Sequence, residues 1–249
     1  MTENHTIIMT SEALSNSSPS LFVQLCGNLA PIAAVIVFCA PIPTIKQISK
    51  DQSVGSLPLL PYSSMVANCF LWLVYGLLKH ESKVWSTNLI GLIMALIYFT
   101  IYKKYSPTKS PTIPGSIQQH IQACAIVVAT TLMFVYLSPP LSDDPASVIG
   151  NVAVLFCVTM FASPLAALKT VLVTKSADSI PLPFTIATVV NCFCWSMLGL
   201  FDMNDFNIYF PNLLGLSFGL TQVLLKLIFG SNVVTNLTGK GTDKLDLIA

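Results

Sequence analysis

Seven apolar runs of about 20 residues recur along the chain, and they restrict its fold more than any other feature. Each run is long enough for a helix to cross a hydrocarbon core about 30 Å thick. Because backbone polar groups in lipid must be hydrogen-bonded within the protein, such runs form helices. Only 9% of the 249 residues are charged, against about 25% in a typical soluble domain. The sequence therefore predicts an all-α membrane protein with seven transmembrane helices, at 21–42, 57–78, 84–102, 117–138, 147–171, 181–201 and 208–230.

The lysines predict the orientation of the chain, because positive charge accumulates on the cytosolic side of membrane proteins. If the spans alternate, only Lys79 and Lys83 fall on one side. The other basic residues fall opposite: Lys46, Lys50, Lys103, Lys104, Lys109, Lys169, Lys175, Lys226, Lys240 and Lys244. We therefore expect residues 1–20 to form an extracellular tail, with glycan acceptor patterns at Asn4 and Asn16, and residues 231–249 a cytosolic tail. The plasma membrane is the default location.

An internal repeat organises the spans. When the chain is shifted by 123 residues, 27–77 aligns with 150–200 without a gap, and both copies contain the pattern Asn-Cys-Phe-x-Trp-x-x-x-Gly. Each copy holds three spans, and three crossings would leave the second copy inverted unless one more helix intervened. The sequence thus predicts two parallel three-helix repeats, 21–105 and 147–230, joined by a linker helix at 117–138. In transporters of this architecture the substrate site lies between the repeats.

Paired amides and indoles within the apolar runs are the candidate site residues: Asn68, Asn191, Asn88, Asn212, Trp72 and Trp195. A buried, unpaired amide costs roughly 2–7 kcal/mol, so each must face another helix or a wet cavity. Hydrogen bonds between helices and ordinary aromatic packing are the simpler explanations for any one of them. Their recurrence in both copies favours a ligand site instead. An amide can donate to and accept from a hydroxyl, and an indole can pack on a sugar ring, so a neutral sugar fits.

No Asp, Glu, Lys, Arg or His lies in the middle of the predicted spans. A proton-coupled carrier usually needs an intramembrane carboxylate or histidine, so facilitated diffusion is favoured over pumping. The sequence shows no phosphate-binding loop, zinc spacing or nucleophile–base arrangement, and we expect no enzymatic activity, catalytic residue, metal, cofactor or nucleic-acid partner. The seven cysteines lie within apolar runs and are interpreted as packing residues.

Prolines lie in or near the ends of spans one, two, five and six: Pro31, Pro41, Pro58, Pro61, Pro164, Pro181 and Pro183. A proline removes a backbone hydrogen bond and permits a kink. Matching pairs could allow one repeat to rock against the other. Simple helix termination explains any single one of them equally well.

Four stretches closely resemble the signature repeats of the SWEET sugar transporters: APIPTIKQISKDQS, LPYSSMVANCFLWLVYGLL, SPLAALKTVLVTKSADSIP and FPNLLGL. The resemblance covers both copies, roughly 27–105 and 150–230. It implies a three-one-three layout, an outside N-terminus and bidirectional uniport of mono- or disaccharides by alternating access. It also implies that a homo-oligomer can form.

The resemblance also implies roles for individual residues. The sugar-contacting asparagines correspond to Asn88 and Asn212, and the pocket tryptophans to Trp72 and Trp195. The hinge prolines correspond to Pro41, Pro61, Pro164 and Pro181, although the gapless repeat alignment pairs Pro181 with Pro58 and keeps Pro58 open. The outer gate corresponds to Tyr75 and Asp205, and Leu198 replaces the tyrosine that many members have in the second copy. Asn68 and Asn191 occupy positions that are often smaller, which favours a monosaccharide.

Two other functions fit a similar helix layout. A proton-coupled carrier of the Pro-Gln-loop group is disfavoured because Ile42 and Leu165, rather than Gln, follow Pro41 and Pro164. A sorting receptor for peptide signals would need charges for a peptide terminus, and the predicted spans lack them.

Overall fold

A computed structural model describes residues 19–107, 115–142 and 144–230. Within these ranges the chain forms helices and no strand. The helices are α1 (Leu21–Phe38), α2 (Ile42–Asp51), α3 (Leu60–Leu78), α4 (Ser82–Tyr105), α5 (Ile117–Leu141), α6 (Pro145–Met160), α7 (Ala162–Thr174), α8 (Leu182–Phe201) and α9 (Phe206–Phe229). The glycan patterns at Asn4 and Asn16 and the tail at 231–249 lie outside the described residues.

Seven helical segments are long and apolar enough to cross a membrane, which confirms the predicted number of spans. The first, Leu21–Asp51, joins α1 to α2, and the fifth, Pro145–Thr174, joins α6 to α7. Both extend beyond the apolar runs that the sequence predicts, at 21–42 and 147–171. The extension α2 was missed because it is amphipathic: Ile45 and Ile48 are buried while Lys46 and Lys50 are exposed.

Spans one and five are interrupted at equivalent places in the two copies. In the first, the turn Cys39–Pro41 separates α1 from α2, and the Ile42 amide donates to the Cys39 carbonyl over 3.0 Å. Pro41 has no N–H to continue the ladder of α1. In the second, Phe161 separates α6 from α7. Each broken span can therefore bend where its inner segment begins.

The two repeats pack against each other through their first and second spans. Helix α1 packs on α8, and α6 packs on α3, as the internal symmetry requires. A core cluster crosses this interface and includes Leu71 and Tyr75 from the first repeat and Ile149 and Leu198 from the second. The linker helix α5 packs on α3 and α6.

At the end of the bundle that carries α2 and α7, the repeats have separate cores. In the first repeat, Ile45 and Ile48 of α2 join a cluster with Tyr98 and Tyr102 of α4. In the second, Val171 of α7 joins a smaller cluster with Ala177, Ile180 and Leu225. The repeats are thus joined by a shared core at one end and packed independently at the other.

Candidate functional site

A cavity of about 200 Å³ lies between the two repeats, which is far more than one water molecule requires. None of its lining residues is charged. They are Ala34, Val37, Phe38, Asn68, Trp72, Val84, Thr87, Asn88, Cys157, Phe161, Asn191, Cys192, Trp195, Ile208, Pro211 and Asn212. All six amides and indoles that the sequence singles out are brought together here. Most of the lining consists of repeat-related pairs, so the pseudo-twofold axis passes through the cavity.

Asn88 and Asn212 occupy equivalent places on α4 and α9 and are held in the same way. The Asn88 Nδ2 donates to the Val84 carbonyl over 2.9 Å, and the Asn212 Nδ2 donates to the Ile208 carbonyl over 2.7 Å. Since a carbonyl only accepts, these bonds fix which end of each amide is nitrogen. Each Oδ1 and the second N–H of each amide remain for a ligand. The pair can therefore accept from and donate to hydroxyl groups.

Trp72 and Trp195 are 8% and 7% exposed and lie on α3 and α8, one in each repeat. The Trp72 Nε1 donates to the Cys157 Sγ over 3.4 Å, and the Cys157 Sγ donates to the Asn68 Oδ1 over 3.2 Å. These two hydrogen bonds link α3 of the first repeat to α6 of the second. In the other half of the cavity, the buried Oδ1 of Asn191 has no hydrogen-bond partner among the described residues.

Two phenylalanines line the cavity where the broken spans are interrupted. Phe38 is the last residue of α1, and Phe161 follows α6. Gly91 of α4 makes room for the first, because a Cβ there would lie 2.6 Å from the Phe38 Cε2. A Cβ on Gly215 of α9 would be in ordinary contact with the Phe161 Cζ, at 3.5 Å. Each break is therefore packed against the third helix of its own repeat.

The residues of the predicted outer gate are also in contact, at the joined end of the bundle. The Tyr75 hydroxyl donates to the Asp205 Oδ2 over 2.5 Å. Asp205 is oriented because its Oδ1 accepts a hydrogen bond from the backbone N–H of Asn207, at the start of α9. Gly150 leaves the space that the Tyr75 ring occupies, since a Cβ there would lie 2.5 Å from the Tyr75 Cε2. Leu198, which replaces the second tyrosine, lies against Gly27.

The predicted hinge prolines lie at the starts of helices. Pro41 immediately precedes α2, and Pro164 lies in the first turn of α7. Pro61 lies in the first turn of α3, Pro58 lies just before that helix, and Pro181 immediately precedes α8. Pro58 lies two residues before the start of its helix and Pro181 one residue before, and the hinge role of Pro61 or Pro58 stays a prediction.

Sequence reasoning missed several lining residues. Cys157 was interpreted as a packing cysteine, yet its thiol bridges two site residues. The repeat could have revealed Phe38 and Phe161, which are identical at the 123-residue shift. Pro211, inside α9, lies one residue before Asn212. No group of three or more histidine, cysteine or acidic residues within the described ranges could hold a metal.

The chain is similar in sequence and in fold to known sugar transporters. The family model described as "Sugar efflux transporter for intercellular exchange" matches residues 24–110 and 147–232. The rice protein "Bidirectional sugar transporter SWEET7b" (Oryza sativa subsp. japonica) is 30% identical over 215 residues, which cover 85% of this chain and 80% of the relative. SWEET12 of the same plant is 30% identical over 83% of this chain and 67% of its own length. A solved eukaryotic SWEET transporter superposes with a TM-score of 0.74 at 28% identity, covering 84% of this chain and 97% of that one.

Proposed function

Since this chain belongs to the SWEET family of sugar transporters, we propose that it is a bidirectional sugar uniporter. It carries a mono- or disaccharide by alternating access between its two repeats. The observation that supports this most strongly is the uncharged cavity between the repeats, with amides and indoles from both. Such a cavity offers hydrogen bonds and flat apolar faces without attracting ions, which matches a neutral polyhydroxylated ring.

The packing of the repeats supports alternating access. The shared core and the Tyr75–Asp205 bond close the cavity at one end, while α2 and α7 belong to separate cores at the other. Rocking of one repeat against the other about the broken spans would separate the closed end and bring the inner helices together. We assign the closed end to the extracellular side, because Lys46 and Lys50 of α2, Lys103 and Lys104 of α4 and Lys169 of α7 lie at the opposite end.

The lining supports uniport over proton coupling. A coupled carrier needs a group that gains and loses a proton during transport, and the residues that line the cavity include no carboxylate and no histidine. Net sugar movement then follows the sugar gradient alone. The asparagines at 68 and 191 favour a monosaccharide over a disaccharide, since each fills space that a smaller side chain would leave.

We place the protein in the plasma membrane with its N-terminus outside and its C-terminus in the cytosol. The single chain contains a whole cavity, so transport does not require a second copy, although a homo-oligomer can form.

Uptake of labelled glucose and sucrose into liposomes that contain the purified protein tests the function. We expect saturable glucose flux, weaker or absent sucrose flux, and the same final glucose level with and without an imposed pH gradient. Protein-free liposomes provide the background. Glucose accumulation above equilibrium in response to the gradient would instead establish a proton-coupled carrier, and flux of neither sugar would contradict the proposal.

A further inference from the structure

The two halves of the cavity differ at a pair of equivalent wall positions on the first helix of each repeat. Residue 34 on α1 and residue 157 on α6 are related by the 123-residue repeat, and both line the cavity. The first is alanine and the second is cysteine. The neighbouring pairs Asn68–Asn191 and Trp72–Trp195 are identical, and Cys157 forms hydrogen bonds with the first member of each pair.

On the cysteine side, the polar groups of two site residues are already used. The thiol accepts from the Trp72 Nε1 and donates to the Asn68 Oδ1. A thiol has one proton to donate and a weakly accepting sulfur, so both of its capacities are engaged. The indole of Trp72 is thereby fixed in orientation, and one of the two acceptor sites of the Asn68 oxygen is already occupied.

On the alanine side, the methyl group of Ala34 can neither donate nor accept. The Asn191 Oδ1 is buried with no hydrogen-bond partner in the described part of the chain. A buried acceptor that stays unpaired costs about 1–3 kcal/mol. Asn191 lines the cavity, so a rotation of its side chain would present this oxygen to a donor there, and a sugar hydroxyl is such a donor.

We propose that Cys157 is a positioning residue that makes the two half-sites unequal. It holds Trp72 as a fixed surface for the sugar ring and occupies Asn68, so that the sugar donates a hydroxyl hydrogen to Asn191 rather than to Asn68. The inference rests on the proposed sugar transport. It adds which half of the cavity accepts a hydrogen bond from a sugar hydroxyl.

The first test compares KM and maximal rate of glucose exchange in liposomes for four proteins: wild type, Cys157→Ser, Cys157→Ala and Ala34→Cys. A serine hydroxyl can accept from Trp72 and donate to Asn68, so Cys157→Ser should keep KM within about twofold. Cys157→Ala releases Trp72 and should raise KM several-fold with a smaller effect on the maximal rate. Ala34→Cys places a thiol beside Asn191 and Trp195 and should raise KM about tenfold or more.

The second test measures competition by monodeoxyglucoses, which a purely structural role would not alter. We expect one analogue to compete more weakly than glucose, because it lacks the hydroxyl that donates to Asn191. That difference should vanish in Asn191→Ala and in Ala34→Cys but persist in Asn68→Ala. Size-exclusion profiles in detergent confirm that each variant is folded.

The results separate the inference from the function on which it rests. No saturable flux in the wild type would contradict sugar transport itself. Wild-type flux with an unchanged KM in both Cys157→Ala and Ala34→Cys would overturn the positioning role alone. So would a deoxyglucose difference that Asn68→Ala erases as fully as Asn191→Ala does.

Discussion

At the scale of single residues, the repeat-related glycines Gly91 and Gly215 are crowded by different side chains. A Cβ on Gly91 would lie 2.6 Å from the Phe38 ring and 2.8 Å from the Cys69 Sγ. A Cβ on Gly215 would meet only the Cys192 Sγ at a comparable distance, 2.8 Å, with the Phe161 ring 3.5 Å away. The first site has an aromatic ring that cannot retreat easily, whereas the second has a small side chain that can rotate.

We therefore predict that Gly91→Ala is more damaging than its repeat-related control Gly215→Ala. Over-packing of this kind costs about 1–3 kcal/mol, and the displaced Phe38 ring would enter the cavity. Gly91→Ala should lower the melting temperature in detergent and raise the KM for glucose more than Gly215→Ala does. Equal effects of the two variants would show that the Phe38 ring does not depend on Gly91.

The sequence revealed the amides and indoles of the site but not the thiol between them. Asn and Trp in an apolar run are conspicuous because burying their polar groups has a cost. Cysteine is ordinary there, and its role depends on contacts with residues 85 and 89 positions away. Which helix faces meet across the repeats is set by packing, and one helical run contains no signal for it.

At the scale of helices, the two inner segments are attached with different strength. Helix α2 belongs to a cluster of seven buried residues, and the Tyr98 hydroxyl donates to the Phe38 carbonyl at its break over 3.0 Å. Among the described side chains, helix α7 belongs to a cluster of four, and the Lys226 Nζ donates to the Ala177 carbonyl in the loop after it over 2.7 Å. The smaller buried surface holds α7 less firmly.

Amide hydrogen exchange should therefore be faster in α7 than in α2 of the detergent-solubilised protein, since local opening is easier where less apolar surface is buried. Lys226→Met removes the bond to Ala177 and should accelerate exchange in residues 170–180 while leaving α2 unchanged. Faster exchange in α2 than in α7 would mean that the first repeat, rather than the second, carries the looser segment.

The number of membrane spans was predictable because apolar length alone determines it. The extents of spans one and five were not, since their inner segments are amphipathic and resemble cytosolic helices in composition. Prolines marked the places where those spans break, but a proline can also simply end a helix. Only the continuation of the chain into packed α2 and α7 distinguishes the two outcomes.

At the scale of the whole molecule, closure at one end depends on a hydrogen bond between residues 130 positions apart, Tyr75 and Asp205. A bond to a charged acceptor contributes about 1.5–3 kcal/mol, and about 1.4 kcal/mol changes an equilibrium tenfold. The repeat-related position has Leu198, so no second tyrosine at that position supplements it. One bond therefore has a large share in the balance between the two open states.

Tyr75→Phe should shift the protein towards the state that is open at this end. In intact cells, a membrane-impermeant maleimide added outside should label Cys157 several-fold faster in Tyr75→Phe than in wild type. The same proteins carrying Cys157→Ser provide the background from the other cysteines. An unchanged labelling rate would mean that the apolar core, not the hydrogen bond, keeps this end closed.

The central claim is that sugar crosses the membrane through the cavity between the repeats, using their paired amides. Glucose flux into liposomes, measured for wild type, Asn212→Ala and Asn151→Ala, tests it most directly. Asn151 is an exposed amide on α6 outside the cavity lining and serves as the matched control. We predict saturable flux in wild type and Asn151→Ala and a loss of at least tenfold in Asn212→Ala. Undiminished flux in Asn212→Ala would contradict the claim and place the sugar pathway elsewhere in the protein.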